Sequence, residues 1–295
     1  MLRLVLPSGS LQKGTTEMFE HADLGISTPD SRCYEATIAD PRVEMVRWMR
    51  PQEIPLYVSE GLFDVGIAGY DWIVEQGCKE SVELVTKLNY SKQTNRPVRI
   101  VVAISESEDI NSVEEIRPGS KVTTEYVGLS KEYFKQLGIP VKVEFSYGAT
   151  EAKIPEIAQV AVELTESGSS LRANRLKIIG TIMESSTMFI ANKVSWNDPV
   201  KRKHIEDLVT LLLGTLDARG KVLIKMNVCE SCLDAIMTVL PSMKTPTVSQ
   251  LFGGRTGYLA VESVVEKSTI NVLIPKLKAI GAEDIIELPI CKVIR

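Results

Sequence analysis

Residues 163–171 read Glu-Leu-Thr-Glu-Ser-Gly-Ser-Ser-Leu, a glycine set among hydroxyl side chains. Between a strand end and a helix start, such a turn aims several main-chain N–H groups at one point, and the serine hydroxyls add donors. That cradle suits a phosphate monoester. It is not a Walker loop, because the G-x-x-x-x-G-K-[ST] spacing and its lysine are missing. Glu163 and Glu166 would repel a phosphate that they faced. An acid at the strand end turned aside would instead accept hydrogen bonds from vicinal hydroxyls, and a ribose 5-phosphate meets both halves. A serine-capped helix after a glycine turn is the plain structural reading of the same residues.

Strand-then-turn-then-helix order must hold for this chemistry, and the surrounding pattern supplies it. Short apolar, β-branched runs alternate with amphipathic stretches: Leu2–Leu6, a helix to His21, Val43–Met49, a helix over Gln52–Glu60, and Asp64–Ala68. This is a βαβ rhythm. After a loop at Asn89–Pro97 a second set follows, with strands at Val98–Ile104, Val122–Thr124 and Val141–Phe145 and a helix at Tyr126–Leu137 that Gly138-Ile-Pro140 stops. Gln159–Thr165 is the strand that feeds the glycine turn. Leu176–Met183 and Thr187–Asn192 read as two strands returning the chain to the first set. A helix over Pro199–Arg219 leads to a final βαββαβ series from Lys221, the split-βαβ, ferredoxin-like order.

Composition fixes the setting. The 295 residues leave room for two or three compact units, and 44% hydrophobic with 24% charged residues is an ordinary globular balance. A formal net charge of −4 gives no broad cationic field for nucleic acid or anionic lipid, so phosphate must be held locally. The opening Met1-Leu-Arg-Leu-Val-Leu-Pro7 reads as a first strand rather than a signal peptide, and no run approaches a membrane span. A cytoplasmic protein is expected. Five scattered cysteines suit a reducing compartment. Cys229-Glu-Ser-Cys232 has redox or zinc spacing, but no second pair exists and His21 and His204 are remote, so a structural helix-start pair is the favoured reading.

The glycine loop resembles the phosphoribosyl pyrophosphate loop of the ATP phosphoribosyltransferases, which runs acidic-apolar-x-x-[ST]-G-x-T-L into a helix with R-x-N. Further segments resemble that family in its own order. They are Leu4-Val-Leu-Pro-Ser-Gly-Ser-Leu11, Arg50-Pro-Gln-Glu-Ile-Pro-Leu-Tyr-Val58, Asp64-Val-Gly-Ile-Ala-Gly-Tyr-Asp71 and Ile182-Met-Glu-Ser-Ser186 with Ile190-Ala-Asn192. Met226-Asn-Val228, Leu240-Pro241 and Thr245-Pro-Thr-Val248 extend the likeness to the C-terminal part.

The resemblance implies an α/β fold: a two-lobed catalytic core like a type II periplasmic binding protein, then a ferredoxin-like regulatory domain. Lobe I would take 1–94 and 181–220, lobe II 95–180, and the histidine-binding domain 221–295. The implied reaction joins N1 of ATP to the anomeric carbon of phosphoribosyl pyrophosphate and releases pyrophosphate, with Mg²⁺ on the pyrophosphate oxygens and feedback inhibition by histidine. This is the first step of histidine biosynthesis. By position, Ser167, Gly168, Ser169 and Ser170 would hold the 5-phosphate and Glu163 the ribose hydroxyls. Ser8, Gly9, Ser10, Arg32, Arg50 and Asp71 would line the ATP or pyrophosphate region, and Thr245 and Thr247 the histidine site. A homo-oligomer, dimer to hexamer, is implied as well.

Several positions depart from the family pattern. The first glycine turn is Pro7-Ser8-Gly9-Ser10-Leu11, without the basic residues of P-x-K-G-R-L. Lys13, on the first helix, is the replacement the sequence offers. Glu163 stands for an aspartate, Gln159 for an upstream acid, and Ser170 for a threonine. A non-catalytic two-lobed small-molecule binding protein or sensor is the competing reading.

Overall fold

The computed structural model describes residues 1–295 except 31–32, 91–96 and 254–256. It divides into two compact units, Met1–Val209 and Thr210–Arg295.

The first unit carries two sheets. Strands β1 (Leu2–Pro7), β2 (Ile26–Ser27), β3 (Glu35–Ile38), β4 (Val43–Met49) and β5 (Val65–Gly69) belong to the first, with helices α1 (Gln12–His21), α2 (Ile54–Ser59) and α3 (Tyr70–Glu75) interleaved. β6 (Val82–Leu88) then leads to the second lobe. There, β7 (Val98–Ser105), β8 (Lys121–Thr124), α4 (Val127–Gln136), β9 (Lys142–Phe145), β10 (Val160–Thr165), α5 (Ser169–Ala173) and β11 (Leu176–Ser185) follow in turn. β12 (Thr187–Asn192) returns the chain to the first sheet, before α6 (Lys193–Asn197) and α7 (Pro199–Ala218). The sheet orders are β2-β3-β4-β1-β5-β12-β6 and β11-β7-β10-β8-β9. β1 runs parallel to β4 and β5, whose C-terminal ends therefore meet along one edge of the first sheet.

Apolar residues on these strands build separate cores. Val5, Ile54, Val58, Ile73 and Ile190 pack in the first lobe, and Ile100, Val102, Val122, Phe134 and Val162 in the second. Trp72 of α3 is the exception, since it packs into the core of the second lobe. Its ring stacks on Tyr126 with centroids 4.5 Å apart, so an element of one lobe is anchored in the other.

Two expectations need correction. Leu176–Met183 does not return to the first lobe, because β11 pairs antiparallel with β7 from Leu176 to Ser185, and the crossing falls at Ser186. Periodicity gives a strand but not its neighbour. The first lobe also gains β2, β3 and β6, and the first two are too short and polar for a pattern to reveal.

The second unit opens with the end of α7 and holds β13 (Lys221–Cys229), α8 (Leu233–Val239), β14 (Thr247–Gln250), β15 (Tyr258–Glu266), α9 (Ile270–Ile280) and β16 (Ala282–Pro289). These form an antiparallel sheet of order β14-β15-β13-β16, covered by α8 and α9 through Ile236, Leu273 and Leu277. Cys229 and Cys232 stand at the turn that opens α8, the helix start expected of a structural pair, and are joined in a disulfide. The turn after β13 brings their Cα atoms to 5.4 Å, within bridging range.

Candidate active site

Between the lobes lies a cleft of about 420 Å³, the size of a small-molecule site. Strand ends from both sheets supply its walls. From the first lobe come the turn after β1 (Ser8, Gly9, Ser10), Arg50 after β4, Asp71 at the start of α3, and Lys87 on β6. The second lobe contributes Glu125, Tyr126, Glu163 and the turn after β10, including Ser167, Ser169 and Ser170.

The 163–170 loop is built locally. Gly168 sits at φ +73°, a left-handed conformation that glycine adopts without strain. Its N–H donates to Thr165 Oγ1 at 2.9 Å, and Ser167 Oγ donates to Ser169 Oγ at 3.0 Å. Ser170 Oγ donates to the carboxylate of Glu151. Ser169 N, which opens α5, donates to Ser167 Oγ at 3.4 Å, while the N–H groups that follow it precede the first carbonyl that can accept them within the helix. Arg172, the arginine of the R-x-N helix start, lies close: a Cβ on Gly168 would come 2.9 Å from its Nη1.

Glu163, on β10, is the titratable centre of this wall. Burial pushes its carboxyl up to about 7, helped by Glu151 and Glu125 and opposed by a hydrogen bond with Thr150. It is thus poised to change charge near neutral pH. Gln159 Oε1 accepts a hydrogen bond from Lys121 N at 3.0 Å and serves the start of β8.

Asp71 is buried, and hydroxyls occupy both of its oxygens. Ser185 Oγ donates to Oδ1 at 2.5 Å and Tyr126 OH to Oδ2 at 2.9 Å. Burial raises the Asp71 carboxyl above its ordinary range, while the Ser185 and Tyr126 bonds pull it down. Four residues on, Glu75 accepts from Gly128 N and Leu129 N, each at 2.8 Å. This carboxylate caps α4 of the opposite lobe. Ser185 lies in the Ile182–Ser186 segment that the sequence sets apart, but its pairing with Asp71, like that of Tyr126, Gly128 and Leu129 with their acids, depends on which strands become neighbours.

In the first lobe, Gly9 is left-handed at φ +79°, and its Cα faces Arg50, whose Nη1 lies 3.7 Å from where a Cβ would stand. Ser8, Gly9, Ser10 and Arg50 therefore form one surface. Lys13 does not join it: its exposed side chain lies on α1, 3.9 Å from Glu17, outside the cleft lining. Arg32 lies outside the described residues. Thr245 and Thr247, in the second unit, are exposed at the entrance to edge strand β14.

Comparison with known proteins decides the family. The family model HisG, described as ATP phosphoribosyltransferase, matches residues 50–214, and its C-terminal domain model matches 218–292. The ATP phosphoribosyltransferase of Pelotomaculum thermopropionicum is 45% identical over 293 residues, covering 99% of each chain. The chain belongs to the ATP phosphoribosyltransferase family. The ATP phosphoribosyltransferase of Pelodictyon phaeoclathratiforme is likewise 45% identical, covering 100% of this chain and 98% of that one. Among solved structures, the ATP phosphoribosyl transferase (HisG:HisZ) complex from Thermotoga maritima matches with TM-score 0.62 at 21% identity, covering 74% of this chain and 99% of that one. That likeness supports the two-lobed fold. Membership makes the chain a transferase of histidine biosynthesis, with the C-terminal domain of the long form. Among the described residues no helix is long and apolar enough to cross a membrane.

Proposed function

We propose that the cleft joins N1 of ATP to the anomeric carbon of phosphoribosyl pyrophosphate. The bond from that carbon to the pyrophosphate oxygen breaks, the N1–carbon bond forms with inversion, and the electron pair leaves on pyrophosphate. No enzyme nucleophile takes part. The cleft's contribution is to align two polyanions and to meet the charge that develops on the leaving group. The observation that carries this reading is the shared cleft of the 163–170 loop, with its half-buried acid, and the Ser8–Ser10 surface under Arg50.

Ser167, Ser169, Ser170 and the main chain at Gly168 hold the 5-phosphate, with Arg172 adding charge at its edge. Glu163 accepts hydrogen bonds from the ribose hydroxyls. Arg50 and the turn beneath it take a polyphosphate chain, while Asp71 fixes Tyr126 and Ser185 along the floor. No group of three or more metal-ligating side chains stands together among the described residues. A Mg²⁺ carried on the substrate's pyrophosphate oxygens would supply charge neutralisation for the leaving group.

Calorimetric titration with phosphoribosyl pyrophosphate and Mg²⁺, then ATP, should show binding of each, and mixing them should form phosphoribosyl-ATP. Absence of binding by both defeats the reading. A pH series adds a second check. Burial pushes the Glu163 carboxyl up to about 7, and its ionised form accepts a hydroxyl donor on each oxygen in the stronger, charge-assisted way. kcat/KM for phosphoribosyl pyrophosphate should therefore climb as pH rises through 7 and then level off. Glu163→Gln should flatten that rise and lower kcat/KM by about tenfold to a hundredfold. A wild-type inflection that survives the substitution would assign it to another group.

Histidine is the proposed feedback inhibitor, acting at the second unit in a cytoplasmic homo-oligomer between dimer and hexamer. All four residues of β14 are exposed, and an edge strand offers main-chain groups to a ligand or to another copy. Thr245 and Thr247 stand at its entrance. Mass measurement with and without histidine separates assembly from inhibition.

A further inference from the structure

Several cations of the first unit end on carboxylates, and Lys177 and Lys193 end on main-chain carbonyls. Arg3 and Lys201 meet Asp64, Arg42 meets Asp40 and Asp207, Arg47 meets Glu35, and Lys121 meets Glu144. Arg50 and Lys87 differ. They are the basic residues in the described cleft lining, and neither has an ion-pair partner among the described residues. The same lining includes Asp71, Glu125, Glu163 and Glu166, so the cleft is not a general anion trap and its cations must act where they stand.

Their separation follows from the strand order. Arg50 follows β4 and Lys87 lies near the end of β6, with β1, β5 and β12 between them. At about 4.8 Å per neighbouring strand their main chains lie roughly 19 Å apart. Their main chains stand at opposite ends of that stretch of sheet edge, which places the two cations to hold different groups of the bound polyanions. Lys87 pairs in register with Met188, beside Thr187, whose Oγ1 donates to Tyr90 O at 2.8 Å, so its main chain is held firmly while its side chain is exposed in the cleft. Arg172 lies outside the lining and belongs to the 5-phosphate loop.

We infer that Lys87 binds substrate, holding the polyphosphate chain that Arg50 does not reach and supplying a cation that the Ser8–Ser10 turn lacks. The inference rests on the proposed reaction, which brings two such chains into one cleft: the triphosphate of ATP and the pyrophosphate of phosphoribosyl pyrophosphate. An ammonium on phosphate is a charge-assisted contact, strongest where water is partly excluded.

The test compares Lys87→Gln, Lys87→Arg and, as a control outside the cleft, Lys13→Gln by initial rates with each substrate varied. Lys87→Gln should raise KM for one substrate about tenfold or more and weaken the salt dependence of kcat/KM. Lys87→Arg should recover most of that loss, and Lys13→Gln should behave as wild type. A rise confined to ATP assigns Lys87 to the triphosphate. A rise confined to phosphoribosyl pyrophosphate, with weaker inhibition by added pyrophosphate, assigns it to the leaving group. If the wild type turns over and Lys87→Gln leaves both KM values and the salt dependence unchanged, the inference falls and the function stands. If the wild type binds neither substrate, the reading beneath it falls first.

Discussion

Gly168→Val should abolish phosphoribosyl transfer, with kcat/KM lowered at least a thousandfold while the second unit stays folded. Two effects combine at this position. The backbone is left-handed at φ +73°, which a β-branched residue reaches only at a cost of about 1–2 kcal/mol or more. Its new Cβ would also arrive 2.9 Å from Arg172 Nη1 and 3.8 Å from Ile178 Cδ1. Arg172 must move, and if the turn relaxes toward negative φ, the bond from Gly168 N to Thr165 Oγ1 is lost with it. The serine hydroxyls then no longer converge. Gly77→Val is the matched control, because Gly77 is also left-handed at φ +66° but has nothing within 4 Å of a Cβ. It carries the same kind of strain without the site, so stability should fall while turnover per folded molecule persists. Titration with phosphoribosyl pyrophosphate and thermal melts of both variants check this, and near-normal affinity in Gly168→Val would mean that the loop has been misassigned.

That loop was legible in sequence because its parts are neighbours in the chain. A strand, a left-handed glycine and a short helix within ten positions leave little for tertiary structure to decide, and the three elements stand where the pattern puts them. The same holds for the βα alternation of the first lobe and the βαββαβ order of the second unit. What could not be read is pairing. Nothing in Leu176–Ser185 says that it lies beside β7 rather than in the first sheet, since β-branched runs suit either. The Cys229–Cys232 bridge depends on the turn between its members, and spacing alone does not fix that turn. Asp71 illustrates the limit best. From sequence it is an acid at a helix start, yet its partners Tyr126 and Ser185 lie 55 and 114 positions away. Lys87 is similar: a lone lysine in a short strand becomes a cleft residue only when β6 takes its place at the sheet edge.

Asp71→Ala should give the second large loss, and it should appear in stability as well as in rate. The carboxylate joins α3 of the first lobe to Ser185 and Tyr126, and all three side chains are buried. Removing it leaves two hydroxyls without their acceptor in a region that water reaches poorly. Each such orphan costs about 1–3 kcal/mol, so a combined loss of about 2–6 kcal/mol is expected. For a unit of about 200 residues that corresponds to a fall in Tm of roughly 4–24 °C. The Trp72–Tyr126 stack and the Glu75 cap on α4 remain, which should keep the lobes attached but less exactly aligned. Substrates bridged between lobes lose more than those held by one, so kcat should fall further than the affinity for phosphoribosyl pyrophosphate, whose loop lies in the second lobe alone. Gly69→Ala gives an independent approach to the same group, because its Cβ would stand 2.2 Å from Asp71 Oδ1 and must push the carboxylate aside. A double-mutant cycle of Asp71→Ala with Tyr126→Phe isolates the bond: an interaction energy of about 0.5–3 kcal/mol is expected for partners in contact. Strict additivity would remove the Tyr126 bond from the tie between the lobes and leave Ser185 as the partner through which Asp71 joins them.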